Sequence, residues 1–209
     1  MAASNFPSRP IGWLAIAVGA MTLLGVVSII LFFTVGGVFG MLNDVCNGVE
    51  AILSAVLAWA LYPLYRAQSP LSSRYTLIAA WVGALIAITG SALIIFDFTG
   101  WYLAGLYTMF GYALVGVWLF GLNAAALWSF PWPRRLAQLG LLTAACMAIG
   151  FLAGPGILGS VDDVDAAQWF VNRGLLGSLG WMFLYPFWCL WLGRLLVSNS
   201  TTMHLATQL

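Results

Sequence analysis

The sequence contains no lysine, and its only histidine is His204 near the end of the chain. A Schiff-base cofactor, which requires a lysine amine, is therefore excluded. A single histidine outside the apolar runs also excludes a bis-histidine haem, a histidine-bound metal and a Ser–His catalytic site inside them. We predict no cofactor, no metal site and no catalytic residues, and an intramembrane enzyme is the least favoured function class.

Charge is equally scarce in this chain. Only 6% of the residues are charged, whereas 63% are hydrophobic. Soluble domains carry about 25% charged residues, so this chain cannot cover a globular surface with charge. The composition predicts a single transmembrane domain over residues 1–209, placed in the cell membrane with the lipid bilayer as its main partner. The net charge of +1 gives no reason to expect nucleic-acid binding.

Apolar runs of membrane-spanning length appear six times. They cover approximately residues 11–33, 44–65, 75–96, 101–128, 136–157 and 167–197. About 20 apolar residues are needed for a helix to cross the hydrocarbon core. The sequence therefore predicts an all-α polytopic membrane protein with a bundle of six transmembrane helices, and counts of five or seven are the alternatives.

The arginines predict how these helices are threaded. With six spans, one side of the bundle carries Arg9, Arg66, Arg74, Arg134, Arg135 and Arg194. The other side carries Asp44, Asp97, Asp162, Asp163 and Asp165, with Arg173 as its only cation. Cytoplasmic loops carry the excess of arginine and lysine, so both the N- and the C-terminus are predicted to be cytoplasmic.

The second predicted span carries a polar stripe. Asn43, Asn47, Glu50 and Ser54 fall within an arc of roughly 60° on a helix that turns ~100° per residue. A carboxylate at the centre of a membrane helix costs about 2.5–3.5 kcal/mol, and such residues usually face protein or water. Glu50 is therefore expected to face the interior of the bundle.

Arg173 is the candidate partner of Glu50, because it is the only cation predicted on that side. A Glu50–Arg173 ion pair would join the second and sixth helices. In the functional interpretation Asn43, Asp44, Asn47, Glu50 and Arg173 form a pocket for a small polar ligand. In the structural interpretation Asn43 caps the helix, Asp44 favours its positive end, and the ion pair fixes the packing of the two helices.

Three details of the later spans are also predicted. Pro155, between two glycines, is expected to end the fifth helix, and Asp165 is expected to cap a sixth helix that begins at Ala166. Pro186 should kink that helix. Asn123 is expected to form an interhelical hydrogen bond.

The acidic loop and the small residues each leave two alternatives. Asp162, Asp163 and Asp165 either bind a calcium ion or form a solvated loop with a helix cap, and the second is favoured. The small residues of the odd spans, such as Gly83 and Gly150, are attributed to close packing within the bundle, with a dimer face as the alternative.

Two functions follow from these observations. The first is an integral membrane protein that binds or transports a small molecule or ion through a pocket around the second and sixth helices. The second is a non-catalytic structural or accessory subunit of a larger membrane complex. A membrane-protein partner or a homo-oligomer is compatible with both. The first requires a cavity near Glu50, whereas the second predicts a filled bundle.

Overall fold

The computed structural model of the protein describes residues 8–129 and 132–206. All the regular secondary structure in these ranges is helical. Six helices within the described ranges are long and apolar enough to cross a membrane, which confirms the predicted all-helical chain with six such helices. These helices, named spans 1 to 6, are Ser8–Thr34, Phe39–Gln68, Pro70–Ile95, Trp101–Trp128, Arg134–Leu158 and Trp169–Ser198.

The spans are arranged as a ring in sequence order. Each span packs against the next one along the chain, and the last helix of span 6 closes the ring against span 1. Short connections between neighbours, such as residues 35–38 and 96–100, require consecutive spans to run antiparallel. The interior between spans 4 and 6 is filled by aromatic rings. Tyr112 stacks on Trp181 with 4.6 Å between ring centroids, and Trp118 meets Trp188 edge to face at 6.2 Å.

The antiparallel arrangement gives the ring two chemically different ends. One end, which we call the acidic end, holds the connections 35–38, 96–100 and 159–168 and carries Asp97 and the three aspartates of the last loop. The opposite end, called the arginine end, carries Arg9, Arg66, Arg74, Arg134, Arg135 and Arg194.

Small residues bring the spans into backbone contact. Gly83 of span 3 and Gly111 of span 4 face each other, and a Cβ atom placed on Gly111 would lie 2.5 Å from the Gly83 carbonyl oxygen. Gly193 of span 6 meets span 1 in the same way, since its Cβ would lie 2.6 Å from the Gly12 carbonyl oxygen. In lipid, where helices gain little from hiding apolar surface, such close approach supplies packing energy. Gly83, which belongs to an odd span, packs within the bundle as the favoured interpretation predicts, and Gly111 and Gly193 show that the even spans use glycine in the same way.

The boundary between spans 5 and 6 corrects two predictions. Pro155 does not end span 5, because the α-helix Arg134–Ala148 continues as a 3₁₀ segment, Ile149–Ala153, and Pro155 then occupies the first turn of a short helix, Gly154–Leu158. A proline is tolerated there because the first turn of a helix lacks internal acceptors for its amides. Asp165 does not cap span 6, which begins at Trp169 after Gln168.

Span 6 is not a uniform α-helix. A short α-helix, Trp169–Gly174, is followed by a 3₁₀ turn, Leu175–Gly177, a π-helical segment, Leu179–Leu184, and the α-helix Tyr185–Ala206. The π segment ends directly before Tyr185-Pro186. Proline removes one amide donor and crowds the preceding turn, so the wider π winding lies where the expected distortion from Pro186 should fall.

The acidic loop caps a helix other than the one predicted. The Asp162 carboxylate accepts hydrogen bonds from the backbone amides of Gly100, at 2.5 Å, and Leu103, at 3.0 Å, at the start of span 4. Asp163 accepts from the amide of Asp165 at 2.9 Å, which closes a local turn. No group of three or more metal-binding side chains occurs among the described residues, so the calcium alternative gains no support.

We expect Asp162→Ala to lower the stability of the fold by about 0.5–2 kcal/mol, the usual cost of losing a helix cap. The loss arises because the amides of Gly100 and Leu103 would have no carboxylate partner. Thermal unfolding of the purified protein in detergent measures the change. Asp165→Ala is the matched control, since it removes a neighbouring carboxylate that does not cap span 4. Equal effects of the two substitutions would contradict the capping role.

Candidate functional site

The polar stripe of span 2 faces the interior, as predicted. Asn43, Asn47, Glu50 and Ser54 are all buried, and they succeed one another along one face of the helix from the acidic end inwards. At 1.5 Å rise per residue, the stripe is roughly 16 Å long. The helix begins at Phe39, so Asn43 lies in its second turn and does not cap it. Instead, the Asn43 amide donates to the neighbouring Asp44 carboxylate at 3.3 Å.

Glu50 is the most unusual residue of this stripe. Its exposed fraction is 0%, and neither carboxyl oxygen has a hydrogen-bond partner among the residues that the structure describes. The hydroxyl groups of Thr22 in span 1 and Tyr112 in span 4 face it. Both donate elsewhere, Thr22 to the Val18 carbonyl at 3.0 Å and Tyr112 to the Asn47 carbonyl at 3.3 Å. The bundle therefore encloses a carboxyl group beside two hydroxyl groups that bond backbone carbonyls in this structure, and rotation of either hydroxyl would turn a donor towards the carboxyl.

The structure does not bring Arg173 to Glu50. Arg173 lies near the end of the short helix that opens span 6, and its side chain is exposed, whereas Glu50 is fully enclosed and unpartnered within the described part of the chain. The predicted ion pair is therefore wrong. The residue before Arg173, Asn172, is the one whose side chain bonds to other segments. It accepts a hydrogen bond from the Tyr102 hydroxyl at 2.6 Å and donates one to the Val164 carbonyl at 3.2 Å. An arginine near the end of a span gains more from solvent than from burial, so it points outwards.

Residues of spans 1, 4 and 6 complete the surroundings of the stripe, and the sequence analysis missed them. The Tyr185 hydroxyl of span 6 donates to Ser54 Oγ at 3.1 Å, one turn beyond Glu50. Tyr112 and Tyr185 are both fully buried. The sequence does mark Thr22, Tyr112 and Tyr185 as candidates for buried polar contacts, because each is a hydroxyl-bearing residue well inside an apolar run. Which of them meet span 2 depends on the arrangement of the ring.

Beyond Ser54 the interior becomes apolar. Leu57, Ala58 and Leu61 follow on the same helix and have exposed fractions of 0%. The next buried polar contact is the predicted interhelical bond of Asn123, whose side-chain oxygen accepts from the Trp188 indole at 3.1 Å. Its amide donates to the Leu119 carbonyl at 2.8 Å, so both of its polar atoms are bonded. The stripe is therefore closed towards the arginine end by packed apolar side chains.

At the acidic end the stripe meets a groove of about 540 Å³. We call it the acidic-end groove. Its walls come from spans 1, 2 and 3 and the start of span 4, and its polar lining residues are Asn43, Asp44 and Asp97. Aromatic and aliphatic residues form the rest, including Phe32, Phe33, Ile94, Ile95 and Trp101. Small-molecule sites typically measure about 300–1,000 Å³ and combine apolar walls with a few polar groups, and this groove has both properties.

A second groove, of about 480 Å³, lies at the arginine end between spans 2, 3 and 4. It is lined by Tyr65, Gln68, Ser69, Ser72 and Thr76 together with apolar residues of span 4. The buried leucines beyond Ser54 separate it from the polar stripe. None of the predicted site residues lines it.

The fold and the stripe together define a class: a membrane-embedded six-helix ring with an unsatisfied carboxyl group inside and a groove at one end. The six apolar helices of the described ranges indicate the membrane. Comparison of the chain with protein-family models, curated proteins and solved structures finds no match. The function is therefore inferred from the residues of this chain alone.

Proposed function

We propose that the protein binds or transports a small polar molecule or ion through the acidic-end groove and the polar stripe below it. The observation that carries this proposal is the Glu50 carboxyl group, which is fully buried and has no hydrogen-bond partner among the described residues. Leaving a buried polar group unsatisfied costs about 1–3 kcal/mol, and more when the group is charged. A purely structural position would be filled at lower cost by an apolar side chain.

The position of Glu50 supports this interpretation further. Asn43 and Asp44 line the groove, and Asn47 and Glu50 follow one and two turns below them on the same helix. Polar and ionisable groups inside a membrane commonly mark pathways for ions and polar substrates. Arg173 is left out of the proposed site, because its side chain is exposed and does not meet Glu50.

Small thiol reagents test whether water and solutes reach the stripe. In a background with Cys46, Cys146 and Cys189 replaced by alanine, we expect Asn43→Cys and Asn47→Cys to react with a water-soluble methanethiosulfonate. Leu57→Cys, from the apolar interior beyond Ser54, is the unreactive control. If Asn47→Cys reacts as slowly as Leu57→Cys, the stripe is not connected to the groove and the proposal fails.

The threading of the chain is part of the proposal. We infer that both termini are cytoplasmic and that the acidic end faces outwards across the cell membrane, because the arginine end carries the six arginines named above. Asp165→Cys and Ser72→Cys, both at exposed positions, should then be labelled by impermeant reagents from opposite sides of the membrane, Asp165→Cys from outside. Labelling of Ser72→Cys from outside would contradict this orientation.

A structural or accessory subunit is the second candidate. The observation that favours it is the filled interior, in which the Tyr112–Trp181 stack and the buried leucines leave Glu50 fully enclosed. This candidate predicts that the stripe stays unreactive in the thiol experiment. It also predicts that the protein purifies from its own membrane with a second membrane protein in fixed ratio.

A further inference from the structure

We propose that the ligand of the acidic-end groove is a small organic cation with N–H donors, an alkylammonium ion. This inference rests on the proposed function and adds the chemical class of the ligand. It follows from three properties of the groove: the sign of its charges, the aromatic residues in its walls, and a side-chain acceptor that receives no hydrogen bond from the described residues.

Both charged residues that line the groove are carboxylates. Asp44 comes from span 2 and Asp97 from the turn after span 3, and no basic residue lines the groove within the described part of the chain. The only side-chain bond of Asp44 among the described residues is the one it accepts from Asn43. Asp97 makes none there, and its left-handed backbone conformation, with φ of 56°, belongs to the tight turn that places it at the groove.

The apolar walls favour a cation that also has a hydrocarbon body. Phe32, Phe33 and Trp101 line the groove beside the carboxylates. Aromatic rings attract cations through their quadrupole, and Trp gives the strongest such interaction. A hydrated metal ion would gain nothing from these walls. Two carboxylates are also few for calcium, which takes 6–8 oxygen ligands, and no group of three metal-binding side chains occurs in the described residues.

Asn43 supplies the acceptor. It lines the groove with an exposed fraction of 8%. Its amide nitrogen donates to Asp44, whereas its side-chain oxygen accepts no hydrogen bond from the residues described. An amide oxygen can accept two hydrogen bonds, and an ammonium N–H group would supply a donor to it.

The negative charge of the acidic end also favours a cationic ligand. The same end of the bundle carries Asp162, Asp163 and Asp165 on the last loop, with Arg173 as its cation among the described residues, and Glu50 is enclosed further along the polar stripe. A surface of one sign raises the local concentration of ions of the opposite sign. An anionic ligand would meet carboxylates here, whereas a cation is attracted before it reaches the groove.

Three ligands of one shape separate charge from size. We would titrate tert-butylammonium, neutral tert-butanol and anionic pivalate into the purified full-length protein in detergent and follow binding by isothermal titration calorimetry. The cation is expected to bind at least about tenfold more tightly than the alcohol, and pivalate should not bind over the same range. Because this comparison uses the unaltered protein, its outcome does not depend on whether a variant folds.

Substitutions then place the cation in the groove. Asp44→Asn and Asp97→Asn should each weaken tert-butylammonium binding about fivefold or more, and Trp101→Leu should weaken it while leaving tert-butanol unchanged. Asp165→Asn removes the same charge from the same end but outside the groove lining, so it should weaken binding much less than Asp44→Asn does.

The outcomes distinguish this inference from the proposed function. Equal binding of the cation and the alcohol, preference for pivalate, or equal effects of Asp165→Asn and Asp44→Asn would overturn the cation proposal. No binding of tert-butylammonium together with a reactive Asn47→Cys would overturn it too, while the connection between groove and stripe would stand. No binding together with an unreactive Asn47→Cys would overturn both.

Discussion

Glu50→Met is expected to make the protein more stable, by about 1–3 kcal/mol. Methionine is similar in volume to glutamate and has no group that requires a hydrogen bond, so it should fill the same space without the desolvation cost. The carboxyl group that it replaces has an exposed fraction of 0% and no partner among the described residues. Thermal unfolding in detergent, with urea or SDS titration for the free energy, provides the measurement.

Two further variants make this result interpretable. Glu50→Gln keeps the shape and leaves polar atoms buried, so it should gain less than Glu50→Met. Arg173→Gln should change stability by no more than about 0.5 kcal/mol, because the Arg173 side chain is exposed and does not bond to Glu50. A large loss of stability in both Glu50→Met and Arg173→Gln would instead indicate that the two residues form an ion pair.

A gain of stability at Glu50 would also bear on function. Residues that are retained although they destabilise the fold are commonly those that binding or catalysis requires. A glutamate that stabilises the bundle would favour the accessory-subunit interpretation. The stability of Glu50→Met therefore bears on the choice between the two candidate functions before any ligand is known.

Gly111→Ala is expected to destabilise the protein by about 1–3 kcal/mol or more, the usual cost of overpacking. The added Cβ would lie 2.5 Å from the Gly83 carbonyl oxygen and 2.7 Å from the Ala87 backbone nitrogen. Backbone atoms cannot rotate away as a side chain can, so spans 3 and 4 would have to separate. Thermal unfolding in detergent again measures the loss.

Gly105→Ala is the matched control on the same helix. A Cβ atom on Gly105 would meet nothing within 4 Å. Alanine has a higher helix propensity than glycine, so this variant should be neutral or slightly more stable, by up to about 1 kcal/mol. If both variants had the same stability, close contact between the backbones of spans 3 and 4 would not contribute to the stability of the fold as the structure indicates.

Much of the fold could be predicted from the sequence, because the membrane imposes simple rules on composition. A helix needs a minimum number of apolar residues to span lipid, and the runs in this chain meet that requirement six times. The inward orientation of Glu50 followed from the cost of exposing a carboxyl group to lipid, and the structure confirms it. The interhelical bond of Asn123 followed from the same reasoning.

The partners of these groups could not be predicted, because the choice of partner depends on the rotation and depth of each helix. Charge alone paired Glu50 with Arg173, but the described structure leaves Glu50 among the hydroxyl groups of Thr22 and Tyr112. Asp162 was assigned to a solvated loop, but its carboxylate caps span 4, which begins about 60 residues earlier in the sequence. The spacing of residues along one segment does not predict such contacts between distant segments.

The sequence by itself determined that this chain consists of six apolar helices, that its charges separate between two ends, and that one helix carries a buried polar stripe. Each of these depends only on the order of residues along single helices. The tertiary structure alone decided which groups surround the stripe, that packed leucines close it towards the arginine end, and that a groove opens at the acidic end. The physical reason is that these features depend on side-chain volumes from several spans, which meet only when the ring closes.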